Sequence, residues 1–332
     1  MIARLRNASS RLGSSWALLA VVLVVVPIFV TGTAGRFLAC TVLIYAVLAL
    51  SWNLTIGIAG VANFAHLAFF ALGAYGGAIF TTQTGLNPWL GMLVGALVGA
   101  LSGAIAFLPV IRLRGIYVAL VTFVFSQLCL YAVLNQSQLT GGSAGLVGLP
   151  GYRIGDVPLA ANGWLGYYIL FAVLFMAVVI ILDLVYRSHL GRSLIALRDR
   201  EQYAMSRGVP PFRQQLIAFI ISAAMAGATG SIYASFVGVV APELFGFGYT
   251  TLVLSILFLG GIGSTRGPIV AAVAITIVSD VLKNTGPWRF IVIAGIIMVV
   301  LWFLPTGLAG LAKAPGDALR NLRRRKRPTA AG

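Results

Sequence analysis

The chain has 332 residues, 60% hydrophobic and only 9% charged, with a formal net charge of +16. Soluble domains carry roughly a quarter of their residues as charge, so this chain cannot clothe itself in a water-compatible surface and takes the bilayer as its solvent. Its excess of Lys and Arg is read as the bias of cytoplasmic loops, not as a nucleic-acid footprint, and no nucleic-acid partner is expected.

A membrane helix needs ~20 mostly apolar residues to cross ~30 Å of hydrocarbon. The chain opens with Arg4, Arg6 and Arg11 before an apolar run from Trp16 to Val30. That pattern fits a secretory signal or a retained first helix. The many runs that follow, and the lack of an A-x-A site, favour the retained helix. In chain order, spans are predicted at 15–32, 37–57, 61–82, 89–109, 115–136, 163–186, 214–240, 245–264, 267–284 and 287–305. The expected fold is an all-α polytopic membrane protein of about ten transmembrane helices, some broken or re-entrant. It divides into a basic cytoplasmic N-terminus (1–14), a transmembrane domain (15–311) and a polybasic cytoplasmic tail (312–332).

Charge sets the orientation. With the N-terminus inside, 19 of the 23 Lys and Arg fall in cytoplasmic segments and 4 outside. That split predicts an even span count with both termini in the cytoplasm. The long cytoplasmic loop is then 187–213 and the long external loop 137–162.

Small residues recur every four positions at Gly91, Gly95, Gly99 and Gly103, and again at Ala226, Gly230, Ala234 and Gly238. Such stripes put small residues on one helix face and let helix backbones approach closely. "TIGIAG" (55–60) joins two spans without any charge, and "LGGIGSTRGP" (259–268) puts four glycines and a proline at a cytoplasmic end. Both read as breaks in helices, tolerated where they are buried or line a cavity.

Catalytic motifs are missing. No lysine follows a glycine, so GxxxxGK[ST] is absent, as is HExxH. His66 and His189 are far apart, and Cys40 and Cys129 are isolated in apolar runs, so neither a metal site nor a disulfide framework is expected. No catalytic residue is assigned. Within the spans, Asn63 and His66 sit at i, i+3 with Phe70 continuing the face. They either hydrogen-bond neighbouring helices or line a translocation path. Asp280 with Lys283, and Asp183 with Arg187, read as local ion pairs.

The charged island "RSLIALRDREQYAMSRGVPPFR" (192–213) interrupts two apolar runs. "DREQ" suggests a capping box, with Asp199 as N-cap and Gln202 reaching back. Gly208 suits the position just past a helix end, and Pro210 stops it. A helix of two turns is marginal in water, so this one needs something to pack on. Tyr203, Ala204 and Met205 supply apolar surface; Arg198, Arg200 and Arg207 supply charge.

Four blocks in order resemble one family: "GVANFAHLAFFALGAY" (60–75), "RLRGIYVALVTFVFSQL" (112–128) with "LTGGSAGL" (139–146), "FLGGIGSTRGPIVAA" (258–272) and "FLPTGLAGL" (303–311). They resemble the permease subunits of ABC importers for branched-chain and other hydrophobic amino acids, in the longer of the two paired types. The resemblance implies a bacterial inner-membrane protein that is not itself an enzyme. It implies a second permease subunit, two cytoplasmic ATPase subunits and an external solute-binding protein, with ATP and Mg on the ATPase subunits and no cofactor on this chain. The loop would carry a coupling helix, with Arg198, Asp199, Gln202, Tyr203, Ala204 and Gly208 at the ATPase. Only Ala204 and Gly208 match the family's E-A-A-x-x-x-G pattern, and Arg266 departs from the mostly uncharged residues expected in the "GSTRGP" block. A urea or short-amide permease, or a stand-alone channel or facilitator, would fit the same spans.

Overall fold

The computed structural model describes residues 32–161, 163–283, 286 and 288–303, together with Leu23 and Pro27. Most of the expected first span, the segment 1–14 and the tail 312–332 lie outside the described residues.

The described chain is largely helical. Helix α1 (Thr33–Asn53) runs on into a π-helical turn (Leu54–Ile58), and α2 (His66–Thr84) follows an extended stretch. Next come α3 (Pro88–Val110), α4 (Ile116–Asn135), the single turn α5 (Ser137–Thr140), α6 (Leu165–Arg187), α7 (His189–Asp199) and α8 (Glu201–Ser206). The chain continues through α9 (Pro211–Val237), α10 (Phe247–Gly260), α11 (Arg266–Val281) and α12 (Trp288–Phe303). Five segments are long and apolar enough to cross a membrane: Thr33–Ile58, α3, α4, α6 and α9. At 1.5 Å per residue, the 23 residues of α3 reach about 35 Å. Apolar helices absorb their few hydroxyls internally: Thr81, Ser102, Thr122 and Thr229 each donate to a carbonyl three or four residues back.

Local chemistry sets the ends. Asn87 caps α3 by accepting from the Trp89 amide, with Pro88 in the first turn, where its missing N–H costs nothing. Pro211 opens α9 in the same way. The span expected at 61–82 starts later, because residues 60–65 are not helical. The span expected at 214–240 starts earlier and stops at Val237, where Gly238 (φ 78°) caps it.

The centre of the molecule is the triangle of α2, α3 and α9. A Cβ placed on Gly95 would sit 2.6 Å from Ser231 Cβ and 2.8 Å from the Gly73 carbonyl. One placed on Gly99 would come within 2.9 Å of Gly227 Cα, and one on Gly230 would overlap the Phe70 carbonyl. Gly91 and Gly103 meet Thr81 and Ala223 in the same way, and Ala226 and Ala234 are fully buried. Gly238 does not join this face: no atom lies within 4 Å of its Cβ position. Its helix has already ended, so its role is the left-handed backbone of a C-cap.

The 137–162 segment is tied to the bundle. β1 (Leu146–Val147) pairs antiparallel with β4 (Val239–Val240), and β2 (Arg153–Ile154) forms a hairpin with β3 (Val157–Pro158). The Tyr167 hydroxyl donates to the Ser235 carbonyl (3.0 Å) and accepts from the Tyr152 amide (3.1 Å). The Trp89 indole donates to the Arg153 carbonyl (3.1 Å). Burial pushes the Tyr152 phenol well above its ordinary pKa, so it stays neutral.

Candidate functional site

Two groups of residues concentrate the polar chemistry of the described chain. The first is the island at 187–213. Ser188 caps α7 by accepting from the Gly191 amide (3.3 Å). The expected capping box at Asp199 is not formed. Asp199 is the last residue of α7, and Arg200, with φ −151° and ψ 83°, breaks the chain and stands as N-cap of α8. The cause is the longer helix upstream: the periodicity of Leu194 and Leu197, both buried, carries α7 through the residue expected to start α8.

The far end of α8 is as expected and more fully built. Gly208 has φ +80°, its amide donates to the Met205 carbonyl (2.9 Å), and the Val209 amide donates to the Ala204 carbonyl (3.1 Å). These two bonds make a Schellman cap. Within α8, Ala204 faces inward at 3% exposure, while Gln202, Tyr203 and Met205 are exposed. Arg207 stiffens this outer face by donating to the Tyr203 hydroxyl (2.9 Å), its guanidinium 5.3 Å from the ring centroid. Glu201 reaches Arg114 at 3.8 Å, an open pair worth little energetically but linking the island to the turn after α3.

Arg198 stays partly exposed and also reaches inward. It pairs with Asp199 (2.9 Å) and sends Nη1 inward to the Gly57 carbonyl (2.6 Å) in the π-helical turn. Around it the two glycine-rich joints meet. Asn53 Nδ2 donates to the Ser264 carbonyl (2.7 Å), and its Oδ1 accepts from the Gly263 amide (2.8 Å). The Tyr186 hydroxyl donates to the Gly263 carbonyl (2.8 Å). Sequence reasoning marks both joints and names Arg198 and Asp199, but it misses Asn53 and Tyr186, which hold the second joint in place. The signal for Asn53 is its place as a polar residue beside an uncharged glycine joint.

The second group surrounds His66. Its Nε2 lies 2.9 Å from Ser51 Oγ and its Nδ1 3.4 Å from Ser222 Oγ, while Ser222 donates to the Ser51 carbonyl (2.6 Å). Trp52 stacks on the imidazole with centroids 5.3 Å apart and donates to the Asn63 carbonyl (2.6 Å). Asn63 and His66 were expected on one helical face. Instead α2 begins at His66, and Asn63 lies in the preceding stretch, its Oδ1 accepting from the Ala65 amide (2.9 Å). Asn63 and His66 are fully buried and Phe70 nearly so. The His66 contacts tie α1, α2 and α9 together. Replacing His66 by leucine removes both ring-nitrogen hydrogen bonds and the stacked pair. We expect a loss of about 2 kcal/mol, read as a lower midpoint of thermal unfolding in detergent. Unchanged stability with lost uptake would instead return His66 to a translocation path.

The remaining sequence-predicted residues behave locally. Lys283 pairs with Asp280 (3.2 Å) and Arg187 with Asp183 (2.9 Å). Cys40 and Cys129 carry free thiols. Among the described residues, no three His, Cys, Asp or Glu lie close enough to hold a metal ion.

The family described as "Branched-chain amino acid transport system / permease component" matches residues 34–302. The chain is 30% identical over 305 residues to the high-affinity branched-chain amino acid transport system permease protein LivM of Escherichia coli, covering 86% of this chain and 72% of that protein. The LivM protein of Salmonella typhimurium is 29% identical over 306 residues, with the same coverage. The permease protein LivH of Salmonella typhimurium is 25% identical over 287 residues, covering 80% of this chain and 91% of that protein. No solved structure matches the chain. The matched region takes in the glycine-packed helices, both joints and the island alike, and the chain belongs to the family of branched-chain amino acid transport permease components, in its longer, LivM type.

Proposed function

We propose that the chain is the membrane-spanning permease subunit of an ATP-driven importer, and that it translocates branched-chain or other hydrophobic amino acids delivered by an external solute-binding protein. Two cytoplasmic ATPase subunits bind ATP and Mg and supply the energy, and a second permease completes the pathway. In this reading the chain crosses the bacterial inner membrane about ten times, with both termini in the cytoplasm. The loop 187–213 faces the ATPase, the segment 137–162 faces outward, and 1–14 and 312–332 are basic cytoplasmic ends.

The observation that carries the reading is α8. It is a six-residue helix, capped at its end and exposing Gln202, Tyr203 and Met205, in a family of transport permeases and a sequence without a P-loop. So short a helix presents a rigid surface only because its cap and neighbours hold it. Two further contacts support the orientation: Arg114 meets Glu201, and Arg198 meets Gly57, both between segments that charge counting puts on the cytoplasmic side.

The test is reconstitution in liposomes. The chain with its second permease, ATPase subunits and binding protein is expected to take up leucine only when ATP is supplied, and the chain alone is expected to give no flux. ATP-independent flux by the chain alone would make it a facilitator and overturn the proposal.

A further inference from the structure

The inner contacts of Arg198 carry an inference beyond the docking of a coupling helix, though they rest on the importer reading above. Helix α7 follows directly on α6, and α8 directly on α7, so residues 189–206 form one arm. Arg198 is the point where that arm grips the bundle. Its guanidinium holds the Gly57 carbonyl, and its stem lies across Gly60 (φ +69°), where even a methyl group would collide with Arg198 Cγ. The same guanidinium passes 3.3 Å from the Cβ position of Gly263, in the second joint. Asn53 bridges the two joints by donating to Ser264 and accepting from Gly263, and Tyr186 holds Gly263 from the end of α6.

Each joint is built to change shape. The first is a π-helical turn followed by non-helical residues 59–65, the second a turn in which Gly261 (φ +94°) and Gly263 (φ +80°) both take left-handed backbone. Few residues absorb large φ/ψ changes so readily, and π-helical turns recur at functional positions in helices. A guanidinium on a carbonyl makes a short, charge-assisted bond that holds where a neutral contact would slip.

We propose that Arg198 is a positioning residue that converts displacement of the 189–206 arm into movement of both joints together, so that α1 and α2 on one side and α10 and α11 on the other shift as a unit. The Asn53 and Tyr186 contacts keep the second joint in step with the first.

The test uses the complete importer with Arg198→Met, which keeps the stem but removes the donors, Arg198→Lys, which keeps one charged donor, and Tyr186→Phe, which deletes a single hydroxyl. The readouts are retention of the ATPase subunits on purification and leucine taken up per ATP hydrolysed. Arg198→Met is expected to keep the ATPase subunits and lower uptake per ATP about tenfold, with a smaller fall for Tyr186→Phe and substantial recovery in Arg198→Lys. Unchanged uptake per ATP in Arg198→Met overturns the proposal, and so does loss of the ATPase subunits, which would make Arg198 a docking residue. Should Arg198→Met fail to accumulate, an unchanged ratio in Tyr186→Phe overturns it equally. A wild-type complex without ATP-driven uptake would remove the importer reading instead, whatever the variants do.

Discussion

Gly230→Val is expected to prevent the protein from accumulating as a folded species. A Cβ at this position would overlap the Phe70 carbonyl oxygen and lie 2.9 Å from the Ala74 amide nitrogen. Both are backbone atoms of α2, so no side-chain rotation can relieve the clash. Helices α2 and α9 would have to separate along the face where Gly73 meets Gly227, which also carries the contacts of Gly95 and Gly99 from α3. Lipid offers no hydrophobic drive to pull them back, because bilayer packing rests on close van der Waals contact between small residues. Overpacking a tight interior costs about 1–3 kcal/mol and more when backbone must move; we place this substitution at or above the upper value. Fluorescence-detected size-exclusion chromatography and thermal unfolding in detergent measure it. Gly295→Ala, on α12 with no atom within 4 Å of its Cβ position, is the matched control and should leave the midpoint unchanged. A folded, wild-type-like Gly230→Val protein would show that α2 and α9 do not pack as described.

The second large effect is expected on function with the fold intact. Gly208→Val should abolish ATP-driven uptake while the protein still accumulates. No atom lies within 4 Å of the Gly208 Cβ position, so there is no collision; the cost is conformational. A β-branched residue at φ +80° is a genuine outlier, and leaving that region releases the Val209–Ala204 and Gly208–Met205 bonds that end α8. The left-handed region costs an ordinary L-residue about 1–2 kcal/mol, enough to unwind a helix of six residues. The glycine-packed centre is far along α9 and does not depend on this cap. Uptake per molecule in the reconstituted importer, set beside the unfolding midpoint of the purified chain, separates the two outcomes. If assembly with the ATPase subunits and coupled uptake both survive, α8 is not the coupling element.

The two substitutions differ in how much of their rationale was open to sequence reading. The i, i+4 spacing of Gly91 to Gly103 and of Ala226 to Ala234 is enough to mark small-residue faces. It does not say which helix each face meets. That two glycine faces and Gly73 converge on one line is a property of the α2, α3 and α9 arrangement. Gly238 shows the limit of periodicity, since it continues the spacing one step past the residue where the helix stops.

The island shows the same division. Gly208 followed by Pro210 marks a helix end from sequence, and the cap is there. Asp199 was misplaced because a capping pattern is local, whereas the length of α7 depends on Leu194 and Leu197 finding a buried surface. Arg198 supplies charge at a partly exposed position, as its place in the island suggests, but its bond to the Gly57 carbonyl is one that no local pattern shows.

The sequence by itself determined that this chain lives in a bilayer and that it resembles a permease, because composition and motif order need no third dimension. Tertiary structure alone decided which polar groups meet. Asn53 contacts residues more than two hundred positions away, Arg198 reaches Gly57, and His66 closes on Ser51 and Ser222. A buried polar atom must find its partner wherever the packed helices bring one, and no local pattern in the chain encodes that meeting.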